Sequence, residues 1–371
     1  MAKKQIDSIM QLPVMPLTIE DMTWNKTGTW RLLTPVQQDK TAPCRAACPL
    51  GQPVPQMIHQ LAEGDPAAAL AALMVFNPMP GVTGRLCYHP CQAKCLRKEV
   101  DQGIAIQSLE KSASQAEAGP SLERRDDTGK QVVVCGSGPA GLAAAYFLGL
   151  AGNSVTVLEP GEEAGGFIRQ AKSEQLPPQV LAKEIERLAQ AAGVEIKTKA
   201  TPSSLAGIDL VLVDASAHAP DSSEAEVVSA LANGGPEPIL LQAEKQSGFK
   251  VVQVAHALAL GREAANRGQE ALGLPAAFTP SELGPLATLE DIKLGFFAPA
   301  PASETPQEEA SRCLSCGTCN LCQQCALSCP DACCNLDEAG ESIEIDLYHC
   351  KGCGICSYEC PRGALVMENQ P

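Results

Sequence analysis

The chain has 371 residues, 45% of them hydrophobic but only 4% aromatic, and a formal net charge of -15 at pH 7. That length suits two or three domains with cores of Ala, Leu and Val, while the acidity disfavours nucleic acid or an anionic membrane surface and favours protein partners with basic faces. No stretch approaches the roughly 20 apolar residues of a membrane-spanning helix and no secretory apolar run follows Lys3 and Lys4, so direct membrane insertion is not expected and a cytoplasmic location is.

Eighteen cysteines are present. Most sit two or three residues apart, a spacing suited to metal rather than to the disulfides of small secreted scaffolds. They fall in three groups: the five from Cys44 to Cys95, the lone Cys135, and twelve from Cys313 onward.

In chain order, residues 1–43 form a polar extension holding both Trp, and 44–125 a helical, cysteine-bearing domain in which Asp65 and Pro66 open a helix that runs to Phe76. A polar linker over 112–129 precedes a βαβ unit: strand 131–135 (QVVVC), a glycine turn and apolar helix over 136–150, and strand 154–159 (SVTVLE). A helix over 178–192, buried strand 209–213, strand 239–243 and helix 252–267 complete a Rossmann-like domain of 126–272. A Pro- and Glu-rich linker, 273–310, leads to a closing domain of 311–371.

That closing domain contains Cys319-x2-Cys322-x2-Cys325-x3-Cys329-Pro330 and Cys350-x2-Cys353-x2-Cys356-x3-Cys360-Pro361, two copies of the bacterial ferredoxin run. Three thiolates at this spacing wrap one face of a cubane, and the fourth reaches across to the other cluster. The expected ligands are Cys319, Cys322, Cys325 and Cys360 for one [4Fe-4S] cluster, and Cys350, Cys353, Cys356 and Cys329 for its twin. A zinc site would want two pairs with a longer gap. Cys313 and Cys316 extend the run backward and compete with Cys319 for register. With Cys333 and Cys334 they are expected as buried thiols beside the clusters rather than as ligands.

Gly136-Ser137-Gly138-Pro139-Ala140-Gly141 follows a strand and opens a helix, and Glu159 ends the next strand. That is the context of a dinucleotide fingerprint. Gly136 permits the tight turn, Gly138 lets a pyrophosphate approach amides at the helix N-terminus, Gly141 allows close packing, and Glu159 can accept from ribose hydroxyls.

The stretch NKTGTWRLLTPV, then Pro43-Cys44-x3-Cys48-Pro49, Asn77-Pro78-Met79-Pro80 and Gly84-Arg85-Leu86-Cys87-Tyr88-His89-Pro90-Cys91-x3-Cys95, resembles the small subunit of glutamate synthase and its relatives. VVVCGSGPAGLAAAYFL and VTVLEPGEEAGGFIR, the latter holding Gly166 and Arg169, continue the resemblance, which covers roughly residues 25–270. It implies an α/β Rossmann-like FAD domain behind an N-terminal helical iron-sulfur domain, as also in dihydropyrimidine dehydrogenase. RCLSCGTCNLC begins a bacterial-ferredoxin-like α+β tail found in some relatives. In the family a second GxGxxG domain, binding NAD(P)H, is inserted after the strand that here reads DLVLVDAS. Here the closing FAD segment, ILLQAEKQSGFKVVQVAHALALGREAA, begins at Ile239, leaving too little chain for a βαβ unit of about 30 residues. The NAD(P)H domain is therefore expected to be missing. Asp214-Ala215-Ser216 replaces the family's Ala-Thr-Gly, and Ala243-Glu244 its Gly-Asp. Glu244 can still hydrogen-bond to a flavin, whereas Ala243 loses the close approach of Gly.

The five N-terminal cysteines suffice for one cluster. The relatives hold two here, aided by a C-x2-C pair upstream, where this chain has Lys40-Thr41-Ala42-Pro43; a complete second all-cysteine site is not expected. By the resemblance the surviving site uses Cys48, Cys87 and Cys91, with Glu110 where a relative uses an amide oxygen; Cys44 or Cys95 is an equally open fourth ligand. His59 and His89 are expected to be structural. The leading expectation is an electron-transfer subunit of a redox complex, an iron-sulfur flavoprotein with no residue acting as general base, relaying electrons among partner subunits or a soluble carrier. Two alternatives stay open: an interaction subunit whose flavin domain is vestigial, and a stand-alone NAD(P)H oxidoreductase.

Overall fold

A computed structural model describes residues 26–116, 122–202, 206–214, 236–241, 253–279, 283–340 and 342–369. In chain order, strand β1 (Leu33–Gln37) precedes six short helices, α1 (Pro43–Ala47), α2 (Val54–Ala62), α3 (Pro66–Met74), α4 (Pro80–Leu86), α5 (Pro90–Ala93) and α6 (Ile106–Ala113). There follow β2 (Gln131–Cys135), α7 (Pro139–Leu150), β3 (Ser154–Glu159), α8 (Pro178–Ala192), β4 (Glu195–Thr198), β5 (Leu210–Asp214), β6 (Ile239–Leu241) and α9 (Val254–Ala271). Then come α10 (Pro306–Ser311), α11 (Gln324–Ser328), β7 (Cys334–Leu336), β8 (Ile343–Ile345), α12 (Ile355–Glu359) and β9 (Leu365–Asn369). The chain forms two units, a larger one of residues 39–320 with 361–363, and a smaller one of residues up to 38, 321–360 and 364 onward.

In the larger unit five parallel strands run in the order β4-β3-β2-β5-β6. The central strand β2 is covered on both faces, which is why it reads as an unbroken apolar run instead of alternating. Helix α7 is buried all round, because it lies between the sheet and α9. Gly261 of α9 permits that closeness: a Cβ there would meet the Ala140 carbonyl at 2.1 Å. Three of the phenylalanines meet at one point, where Phe278 stands edge-on to Phe76 and Phe147 at 5.3 and 5.5 Å between centroids. Tyr146 donates to the Met74 carbonyl at 2.7 Å, tying α7 to α3.

Helix α3 is capped as its sequence implies, Asp65 accepting from the Ala68 amide at 2.9 Å. Strand β4 is absent from the sequence reading, because Glu-Ile-Lys-Thr is a largely exposed edge strand with no apolar alternation to mark it.

Glu184 of α8 is buried and accepts from the Gly81 amide at 2.6 Å, joining α8 to α4. Burial raises its carboxyl to about 6, against the lowering pull of Arg187. A raised carboxyl favours the folded state while protonated, so its contribution is present below the unfolded value and is lost as pH climbs through 6. Glu184→Gln keeps an acceptor for Gly81 and is expected to stabilise the chain by about 1–2 kcal/mol at pH 7.5, but not at pH 4.5. Thermal melts at the two pH values check this; an equal effect at both would contradict it.

In the smaller unit β1 pairs antiparallel with β9, Leu33 opposite Asn369 and Gln37 opposite Leu365, and β7 forms a hairpin with β8. The Gly28 amide donates to the Tyr348 carbonyl at 2.8 Å and Arg31 Nη1 to the Leu347 carbonyl at 2.7 Å. Part of the polar N-terminal extension thus belongs to the module of the closing cysteine runs. No helix among the described residues is long and apolar enough to cross a membrane.

Candidate functional site

In the larger unit Cys48, Cys87 and Cys91 line one pocket with Gln52, His89 and Glu110. His89 adopts a left-handed backbone with φ 49°, which turns the chain between Cys87 and the start of α5 at Pro90 and aims both cysteines into that pocket. Such a conformation costs a β-carbon-bearing residue on the order of 1 kcal/mol and persists only where its surroundings hold it. Here they do. His89 Nδ1 lies 2.7 Å from the Cys87 carbonyl and Nε2 lies 3.2 Å from Glu110 Oε2, while its amide donates to Cys87 Sγ at 3.4 Å. Glu110 Oε1 accepts from Thr83 Oγ1 at 2.6 Å, Asn77 Nδ2 at 3.2 Å and Gln52 Nε2 at 3.3 Å. Burial pushes the Cys48 thiol up, the Cys87 thiol to about 12 and that of Cys91 further still. Three thiols lining one pocket are a donor set that fits an iron-sulfur cluster.

Cys44 and Cys95 do not join that set. They line a second cavity together with Cys313 and Cys316, bounded by Pro43, Ile58, Arg97, Ile104 and Ile106. Burial raises the Cys44 thiol well above its ordinary value, and the like charge of Cys313, Cys316 and Cys95 raises it further. Cys313 and Cys316, read from the sequence as thiols beside the ferredoxin-type clusters, instead return to the helical domain. No three His, Cys, Asp or Glu side chains among the described residues converge as one metal ion requires. A cubane spreads its thiolates around four irons and needs a lined cavity, not convergence.

In the smaller unit Cys329, Cys350, Cys353 and Cys356 line one pocket with Pro35, Cys333 and Cys334, so the second expected ligand set is brought together. Cys350 and Cys356 are buried and Cys353 is exposed, as is Cys322. The Cys333 amide donates to Cys329 Sγ at 3.2 Å. The Cys334 thiol lies within hydrogen-bonding reach of Cys325 and Cys356, and this shared contact draws those two down and pushes Cys334 up. Cys319 lies in the larger unit, its amide donating to Asp39 Oδ1 at 3.2 Å, and Cys360 in the smaller.

The glycine loop has the predicted backbone. Gly136 has φ 98°, Gly138 caps α7, and Pro139 and Ala140 open it. A Cβ at Gly141 would meet the Gly136 carbonyl at 2.4 Å. Its side-chain surroundings differ from expectation. The fully buried Asp214 carboxylate at the end of β5 accepts from the Gly141 amide at 2.7 Å, so a fixed anion already sits on the helix N-terminus. Glu159 accepts from Ser137 N at 3.0 Å, from Ser137 Oγ, and from Gly161 N at 2.8 Å. Gly166 opens a 3-10 turn in which Arg169 holds the Ala164 carbonyl at 2.7 Å and pairs with Glu163. The loop fits a dinucleotide in shape and opposes its phosphates in charge. Ala215, Ser216, Ala243 and Glu244 lie outside the described residues.

Three family descriptions match: dihydropyrimidine dehydrogenase domain II, 4Fe-4S cluster, over residues 37–120; NAD(P)-binding Rossmann-like domain over 134–184; and 4Fe-4S binding domain over 343–366. The chain is 35% identical over 162 residues to the NADPH-Fe(3+) oxidoreductase subunit beta of Geobacter sulfurreducens, covering 42% of this chain and 24% of that one. It is 32% identical over 198 residues to the NADP(+)-dependent formate dehydrogenase subunit beta of Moorella thermoacetica, covering 46% and 27%. With the glutamate synthase [NADPH] small chain of Bacillus subtilis it shares 36% identity over 128 residues, covering 33% and 26%. The chain thus spans about a quarter of the length of these relatives. It combines an N-terminal 4Fe-4S domain of the dihydropyrimidine dehydrogenase type, a Rossmann-like domain and a C-terminal ferredoxin-type 4Fe-4S domain, and its relatives are glutamate synthase small-chain-like proteins and oxidoreductase subunits.

Proposed function

We propose that the chain is an electron-transfer subunit of a multi-subunit redox complex, passing single electrons between protein partners through [4Fe-4S] clusters. The observation that supports this best is the ferredoxin-type pocket, in which Cys350 and Cys356 are buried while Cys353 is exposed. A cluster held by these residues would be shielded from water at Cys350 and Cys356 and would be open to a partner at Cys353. The Cys333 amide on Cys329 stabilises the charge that reduction adds. Cys319, Cys322, Cys325 and Cys360 form the twin set by their spacing, and Cys48, Cys87 and Cys91 with Glu110 hold a cluster in the helical domain. Two of the relatives above are named as beta subunits, which favours a subunit role here.

FAD is the dinucleotide we assign to the Rossmann-like domain; the Gly138–Gly141 turn would hold its diphosphate and Glu159 would face its ribose. A flavin couples two-electron to one-electron chemistry when bound. This chain's own contribution is positioning, together with the opposing charge of Asp214. That charge favours, as a second reading, an interaction subunit whose flavin pocket is vestigial. Direct NAD(P)H oxidation is not supported, since residues 215–238 between β5 and β6 are too few for a further βαβ unit. Clusters of this kind persist in a reducing compartment, consistent with the cytoplasm.

Anaerobic stopped-flow mixing of the dithionite-reduced chain with a one-electron acceptor tests the proposal. Full reoxidation in one-electron steps is expected; iron that neither reduces nor reoxidises, or bleaching by NADPH alone, would sink it. Because the chain carries a charge of -15, the bimolecular rate with a basic acceptor protein is expected to fall roughly tenfold between low salt and about 0.15 M. A rate independent of ionic strength would contradict docking on a basic face.

A further inference from the structure

We propose that Cys44, Cys95, Cys313 and Cys316 hold a [4Fe-4S] cluster of their own, assembled from two distant parts of the chain, with Arg362 donating to its sulfur atoms. All five residues belong to the larger unit. The inference concerns which residues hold iron, and it stands whether or not the chain passes electrons to a partner.

Four independent features carry it. The first is the cavity itself, lined by four thiols and by apolar side chains of Pro55, Ile58, Ile104 and Ile106. The second is backbone geometry. Ser315 has φ 49° and its amide donates to Cys313 Sγ at 3.4 Å, which repeats what His89, also at φ 49°, does for Cys87 at 3.4 Å. A left-handed residue two positions after a cysteine, aiming its N–H at the sulfur, costs strain that an anionic sulfur offsets.

The third is Arg362. It is 7% exposed, and its Nε and Nη1 are buried with no hydrogen-bond partner among the described residues. Its carbonyl accepts from the Gly317 amide at 2.8 Å, which places it beside Cys316. Four thiols that lose their protons to solvent on binding a [4Fe-4S] core of charge 2+ leave a unit of charge 2-, and a buried guanidinium is the counter-charge such a unit needs.

The fourth is the rigidity with which the second pair is delivered. Helix α10 packs on α2 and α6, with Ala310 buried among Val54, Ile58, Leu61 and Leu109. Beside it Arg312 pairs with Glu309 at 2.7 Å and Asp101 at 2.8 Å, and Arg97 Nη1 donates to the Arg312 carbonyl at 2.9 Å. Glu309 also accepts from the Ala105 amide at 2.9 Å. These bonds fix the residue immediately before Cys313 against the helical domain that supplies Cys44 and Cys95. Cys91 lines one cavity and Cys95, four residues on, the other, so the two sites adjoin.

The test uses the full chain, reconstituted anaerobically, with iron counted and EPR recorded after reduction. C313S/C316S is expected to lose about a quarter of the iron and one reduced-cluster signal. C44S should lose the same signal, and the triple variant no more than either. Full iron in C313S/C316S, or a different signal lost in C44S, would overturn the proposal. Arg362→Met leaves all four thiols in place and keeps the proposal testable if the serine variants misfold. Removing its charge should lower the reduction potential of that one component, and an unmoved potential across all components would equally overturn it.

Discussion

Glu110→Ala is expected to cost the chain the helical-domain cluster of Cys48, Cys87 and Cys91, about a quarter of its iron, while Glu110→Gln keeps it. The carboxylate is the common acceptor for Gln52, Asn77 and Thr83 and lies 3.2 Å from His89 Nε2. Alanine strands three buried donors, each lost partner costing about 1–3 kcal/mol. It also frees His89, whose strained backbone places Cys87 and Cys91. Glutamine keeps an oxygen for Thr83 and Asn77, and its amide can donate to His89 Nε2 if the ring carries its proton on Nδ1 toward Cys87. Iron analysis beside far-UV circular dichroism separates loss of the cluster from loss of the fold. Equal iron in both variants would show that Glu110 has no part in the site.

The second large effect concerns the flavin. Asp214→Ala is expected to tighten FAD binding by about tenfold, roughly 1.4 kcal/mol, because it removes a buried anion from the amide of Gly141, where the diphosphate draws on the helix N-terminus. Fluorescence titration of the apo chain with FAD measures it. Weaker binding in Asp214→Ala would mean that Asp214 supports the loop, and unchanged absence of binding would favour the vestigial reading.

Much of this was legible in the sequence because it rests on short-range pattern. QVVVC is an apolar run in a doubly covered strand, GSGPAG is followed by an apolar helix, and the spacing of Cys350, Cys353 and Cys356 already implies one face of a cubane. Cys329, expected from its spacing as the fourth ligand, lines the same pocket. What the sequence hid depends on long-range placement or on charge in context. Cys313 and Cys316 sit six and three residues before Cys319, so adjacency tied them to the ferredoxin run; only the packing of α10 and the Arg312 ion pairs bring them to Cys44 and Cys95. The pairing of β1 with β9 joins two ends of the chain, and no local period in Leu-Thr-Pro-Val-Gln announces it. Asp214 stood out as a departure, but that its carboxylate occupies the helix N-terminus is a fact of three dimensions.

The central expectation is that the chain carries several redox-active iron clusters. An EPR-monitored redox titration of the anaerobically reconstituted chain, with iron and acid-labile sulfide counted on the same sample, tests it most directly. The prediction is about sixteen iron and as many sulfide per chain, four for each of four clusters, with signals that appear on one-electron reduction and vanish on reoxidation. Zinc in place of iron, or iron that yields no reducible cluster signal, would contradict it.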